Sequence, residues 1–215
     1  MNLKQKYFID SHKGITPVFI VFLIYFYDCF DNINAMIYLA LHGSYGILWV
    51  AKSYIYPDRQ WEKKCSLAYG FLIWTSLSLY WIAPFLITSG NKLMPLIIDS
   101  SNYIFYSFCV SIYIFGIFLH FVSDMQKFIQ LNIKPGKLID NFMFSKIRNT
   151  NYLGELFIYL GFSLLAFDFV PLIILLAFVI FLWIPNMIKK DKSLSKYSEF
   201  QNYKSKTKNF FPFIY

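Results

Sequence analysis

Residues 145–188, SKIRNTNYLGELFIYLGFSLLAFDFVPLIILLAFVIFLWIPNMI, hold two apolar runs separated by little more than FDFVP. Each run approaches the roughly 20 residues that cross a bilayer core, and a proline such as Pro171 is tolerated near a helix start. The pair predicts two short membrane helices, over about 152–167 and 169–188, folded as a tight hairpin. Four earlier apolar runs predict further spans over about 15–30, 33–54, 66–88 and 102–122. The expected fold class is therefore all-α, a polytopic membrane helical bundle of about six transmembrane helices. A single membrane domain over 1–215 is expected, with four helices in 1–118 and the rest in 119–215, because no polar stretch is long enough for a second domain.

Composition agrees. Of 215 residues, 57% are hydrophobic and only 15% charged, where a soluble domain carries about a quarter. The net charge of +8 raises nucleic acid as a partner, but no nucleic-acid-binding pattern accompanies it and none is expected. Cys29, Cys65 and Cys109 are far apart, so they read as small buried hydrophobes and not as a metal site or disulfide framework. The N-terminal MNLKQKYFIDSHKG lacks the apolar core of a cleavable secretory signal. The 17 Tyr and 25 Phe are spread along the chain, which suits lipid-facing and helix-packing roles with a few in the interfacial belts.

Loop charge alternates without a break. Lys4, Lys6 and Lys13 precede the first span, and only Asp28 and Asp31 follow it. The second loop carries Lys52, Arg59, Lys63 and Lys64, and the third Lys92 with Asp99. Lys127, Lys134, Lys137, Lys146 and Arg148 crowd the fourth, Asp168 stands alone in the fifth, and the tail is lysine-rich. By the positive-inside rule both termini face the cytoplasm, or the matrix in a mitochondrial protein. The expected membrane is the endoplasmic reticulum or the bacterial inner membrane, with the mitochondrial inner membrane as the alternative.

Four polar constellations could carry chemistry, and three lie towards the basic face. Arg148, Asn151 and Glu155 are spaced to share one helical face at the start of the fifth span. Groups of this kind usually face a bundle interior or a water-filled cavity. An interfacial cap with a snorkelling arginine accounts for Arg148 and Asn151 but not for Glu155. His120, Ser123, Asp124 and Lys127 end the fourth span, where a carboxylate is out of place at a helix C-terminus and calls for a partner. His42, Ser44 and Tyr45, between Gly43 and Gly46, lie inside the second span, where the glycines permit close helix approach. In the tail, Tyr197, Phe200 and Tyr203 predict an amphipathic helix among lysines, followed by the aromatic FFPFIY. It reads either as a polybasic lipid-binding segment or as a lid. No P-loop, G-x-G-x-x-G or G-x-S-x-G occurs, so any cofactor must be held by the membrane helices and their loops.

The order SD-x-QK, KPGK-L-I, RN-x-NYLGE, Y-x-x-F-x-x-Y-K and FFPFIY resembles the C-terminal half of the steroid 5-alpha-reductase family and its uncharacterised relatives. More remotely it is similar to sterol C14 reductases and to isoprenylcysteine carboxyl and phospholipid methyltransferases. The resemblance covers about Leu119–Tyr215. It implies a cofactor enclosed by the C-terminal half and reached from the cytosolic face: NADPH in the reductases, S-adenosylmethionine in the methyltransferases. Asp124, Arg148, Asn151, Tyr152 and Glu155 fall on the family's nucleotide-binding positions, and Lys134-Pro135-Gly136 on its loop. His120, Lys189, Lys190 and Tyr203 complete the implied cofactor set. The glutamate after Gly154 favours the reductase branch. Where the family has Arg-His-Pro-Asn-Tyr this chain has Arg148-Asn149-Thr150-Asn151-Tyr152, and the second helix lacks the family's catalytic Glu. His42 and Tyr45 are the candidates left for proton donation. The expectation is an NADPH-dependent reductase of a lipid-like conjugated enone or alkene, its partners the bilayer and that substrate. Alternatives are a methyltransferase using S-adenosylmethionine and a cofactor-free structural subunit of a membrane complex.

Overall fold

The computed structural model describes residues 3–98 and 103–211, leaving Asp99 and the last four residues of FFPFIY outside. It is 74% helical with almost no strand. Strand β1 (Leu3–Lys4) pairs antiparallel with β2 (Lys64–Cys65), and the helices are α1 (Gln5–Phe26), α2 (Ile33–Ile55), α3 (Leu67–Ser89), α4 (Tyr103–Ile133), α5 (Thr150–Ser163), α6 (Phe169–Leu194) and α7 (Phe200–Lys206). Helices α1, α2, α3, α4 and α6 are each long and apolar enough to cross a membrane, and the protein is an integral membrane protein of the helical-bundle class. α5 has 14 residues and is prolonged by a 3-10 turn to Ala166. One-turn π-helical segments interrupt α2 at Leu39–Gly43 and α6 at Val179–Trp183.

Four of the helix starts have an identifiable cause. Asn32, Ser66 and Asp168 accept backbone N–H bonds as N-caps of α2, α3 and α6. α1 has no side-chain cap; instead the Gln5 and Lys6 amides donate to the Lys63 and Trp61 carbonyls of the second loop. That satisfies donors a helix start would otherwise strand, so α1 begins ten residues before the expected 15. The fourth span likewise runs on to Ile133 and not 122, the sixth to Leu194 and not 188. Several lysines therefore leave the loops to which sequence assigned them, Lys6 and the tail's Lys189, Lys190 and Lys192 among them. Lys13 is inside α1, Lys52 inside α2 and Lys127 inside α4, the first two almost fully buried.

The contacts between loops fix the topology. At one end meet β1, the loop before β2, the end of α4 and the tail. Lys127 bonds Asp58, Arg59 bonds Asn132, and Lys208 exchanges backbone bonds with Lys146 and Arg148. At the other end Asn32 reaches the Ile87 carbonyl, and Asp168 accepts the Leu93 and Met94 amides. The chain thus passes six times between two ends, with β1 and the described part of the tail at the same one. Of the 20 Lys and Arg, Lys92 alone belongs to the opposite end. Exposed Ile104, Phe108, Phe115 and Phe118 on α4 and Phe181 on α6 face lipid.

Glycines permit two close approaches between helix backbones that bear on the site. A Cβ on Gly46 would lie 2.3 Å from the Lys13 carbonyl oxygen, so α2 rides against the α1 backbone. A Cβ on Gly154 would lie 2.4 Å from the His120 amide nitrogen and 2.8 Å from the Gly116 oxygen, so α4 and α5 touch backbone to backbone.

Candidate functional site

These contacts bring three polar groups together inside the bundle. In the first, Lys52 of α2 is ion-paired with Asp124 of α4, and His120 lies one turn before Asp124 with Nε2 3.8 Å from its carboxylate. His120 Nδ1 is 3.0 Å from the Asn151 carbonyl at the start of α5. A carbonyl only accepts, so Nδ1 carries the proton and Nε2 is left to accept from Lys52. Trp49 stacks on the imidazole at 5.8 Å between centroids, and the Lys52 ammonium lies 4.6 Å over the Trp49 ring. One oxygen of Asp124 and the side-chain oxygen of Asn151 are buried without a hydrogen-bond partner.

The second group lies deeper. Lys13 of α1 donates to the Tyr159 hydroxyl of α5, and its ammonium faces the rings of Tyr45 (4.1 Å), Tyr159 (4.8 Å) and Trp49 (5.0 Å). The Tyr45 hydroxyl donates to Glu155 at 3.4 Å. The buried Tyr80 hydroxyl has no partner, and its ring lies 4.2 Å from that of Tyr159. Both π-helical segments abut this cluster: Trp183 packs on Tyr152 and Tyr159, and His42 stacks flat on Phe162 at 4.2 Å while bonding the Tyr38 hydroxyl. Such segments often accompany functional sites.

The third group is a clamp at the basic end. Arg148 precedes α5 and so does not share its face with Asn151 and Glu155; nor does it snorkel, being 5% exposed. Its guanidinium takes both oxygens of Asp191 and the Thr207 carbonyl and hydroxyl. Lys190 donates to the Arg148 carbonyl, and the buried Asn149 amide donates to Asn209. Tyr203 of α7 bonds the Phe144 carbonyl, which seats the tail helix over the start of α5. Lys134 and Lys189 are exposed.

Two shallow clefts open at this end around the Pro57–Asp58 turn, which with Lys52 lines both of them. Asp10, holding Trp49 and Ser53, lines one; Asp124 and Lys127 line the other. Burial alone would raise the Asp58 carboxyl, but the Lys127 ammonium at 2.6 Å outweighs it and holds the group below the usual carboxylate range. Neither cleft is a small-molecule pocket: the enclosed space, about 10 and 20 Å3, has room for little more than a water molecule. The uncommitted acceptors on Asp124 and Asn151 do suit the donors of a nicotinamide nucleotide, its ribose hydroxyls and carboxamide N–H.

Sequence therefore grouped Asp124 with His120, and Tyr45 with His42, but missed the partners Lys52, Lys13 and Tyr159. Their signal was faint: Tyr45, Trp49 and Lys52 recur at helical spacing on one face of α2. No curated protein and no solved structure matches the chain. The placement of Asp124, Asn151 and Glu155 on two helices locked by Gly154 suits the reductase-like order of the C-terminal half. In keeping with that order, residues 1–207 match the family described as "Protein of unknown function (DUF1295)", a steroid 5-alpha-reductase-like family to which the chain belongs.

Proposed function

We propose that the protein is a membrane-embedded, NADPH-dependent reductase of a lipid-like conjugated enone or alkene, with Tyr45 as proton donor. The observation that carries this reading is the pair of buried, unpartnered acceptors on Asp124 and Asn151, set beside a phenol–carboxylate contact inside the membrane. A buried polar atom without a partner is costly, and these two would be satisfied by the ribose and carboxamide of the nucleotide. Exposed Lys134 and Lys189 would meet its phosphates. Bound NADPH supplies hydride.

The chain's own task is the proton. The Tyr45 contact to Glu155 is long at 3.4 Å, so the hydroxyl is free to turn to a substrate oxygen or carbon. Its O–H bond breaks as the new bond to substrate forms, and the full burial of Tyr45 keeps water away. A second reading, a structural subunit without turnover, has its own support: Arg148 is saturated by Asp191 and the tail, and both clefts are small.

Titration of NADPH and of S-adenosylmethionine into protein purified in nanodiscs separates the readings. NADPH is expected to bind, N151A to weaken it about tenfold through loss of one hydrogen bond, and Y45F to lower kcat at least about 100-fold with NADPH affinity kept. Binding of S-adenosylmethionine in its place would indicate a methyltransferase. Binding of neither would sink the enzyme reading and leave the structural one.

A further inference from the structure

We infer that Lys13 is a positioning residue of the proton-donating centre, acting through Tyr159 and Tyr45. The inference rests on the reductase reading and deepens it. Lys13 is 3% exposed in a membrane helix. Among the described residues its ammonium has no carboxylate within ion-pair distance; its partners are one hydroxyl and three aromatic faces. A lysine in that position is costly, and a methionine would fill the same volume without the charge. Gly46 holds it there by admitting the Lys13 backbone against α2. The outlay has only a partial structural return, in three cation–π contacts and one hydrogen bond, with no carboxylate at ion-pair distance to neutralise the charge.

It also has a chemical one. When hydride reaches the substrate, the Tyr45 O–H bond breaks and its proton goes to the substrate, leaving a phenolate. An ammonium 4.1 Å from that ring, and hydrogen-bonded to the neighbouring phenol, stabilises the negative charge as it develops. A proton from solvent at the basic end then restores the phenol. The unpartnered Tyr80 hydroxyl beside Tyr159 offers a second donor, to an oxygen of the substrate.

The test compares K13M and K13R with the wild type. For K13M, kcat is expected to fall at least about 100-fold with KM and NADPH affinity kept, while the melting temperature holds or rises because a buried charge has gone. K13R should recover part of kcat. Unchanged kcat in K13M, or a loss that only follows a fall in melting temperature, overturns the inference. A wild type that neither binds nor oxidises NADPH fails the reductase reading itself. In that case tyrosine ring-carbon NMR on the protein alone, with Tyr159 assigned through Y159F, still reads the couple. Its resonance should move in K13M and not in K52M, and an unmoved resonance overturns the pairing.

Discussion

Lys52 and Asp124 meet at side-chain exposures of 4% and 6%, so neither charge has water to turn to when the other is lost. Breaking such a pair from one side costs about 3–5 kcal/mol, whereas replacing both partners by apolar groups of similar volume is often neutral. D124N and K52M are therefore expected to lower the unfolding free energy by that amount in detergent, and the K52M D124L double variant to recover most of it. Chemical unfolding of the four proteins gives the coupling directly. His120 sharpens the expectation, because its Nε2 accepts from the same ammonium and loses that donor in K52M but not in D124N. If both single variants were as stable as the wild type, the pair would not be desolvated and the centre would be open to water.

At the scale of elements, Gly154 carries a packing role that its motif does not announce. In the sequence it sits inside NYLGE and takes its meaning from the resemblance; in the structure it is where α5 touches the backbone of His120. An added methyl group would sit 2.4 Å from that nitrogen, so α4 and α5 must part. G154A is expected to cost about 1–3 kcal/mol, the usual range for overpacking, with a matching fall in melting temperature. G14A is the control, since a Cβ there meets only Val50 at an ordinary 3.6 Å. Equal melting of the two variants would mean that the helices are not in backbone contact. The same contrast explains what was legible. Uninterrupted apolar runs announced the helices, because lipid-facing and core-facing residues are both apolar. The polar turns Gln5–Gly14 and Ser123–Ile133 did not, because whether Lys13 or Asp124 is buried depends on partners on other helices, which the chain's local pattern does not identify. Arg148 is the clearest case: its distance from Glu155 fits a shared helical face, but the helix begins at Thr150 and the arginine turns to the tail.

For the whole molecule, two opposed ends and six passes make one strong demand, that basic loops and tail share a compartment from which the loops at Asp28 and Lys92 are excluded. The positive-inside rule then predicts that the cation-rich end faces the cytoplasm, or the matrix in a mitochondrial protein. The protein carries its own reporters of this. Cys29 lies in the first loop at the basic-poor end, Cys65 in β2 at the basic end, and both are partly exposed, while Cys109 is buried in α4. A membrane-impermeant thiol reagent applied to intact cells carrying the protein in the plasma or inner membrane should label Cys29 and spare Cys65. Permeabilisation should then open Cys65, with C29S and C65S assigning the two signals and Cys109 silent until the protein unfolds. Labelling of Cys65 alone from outside would invert the orientation and move the Asp124 centre to the far side, out of reach of cytosolic NADPH. Labelling of both from one side would break the six-pass topology, and with it the shared end on which β1, the second loop, α4 and the tail converge.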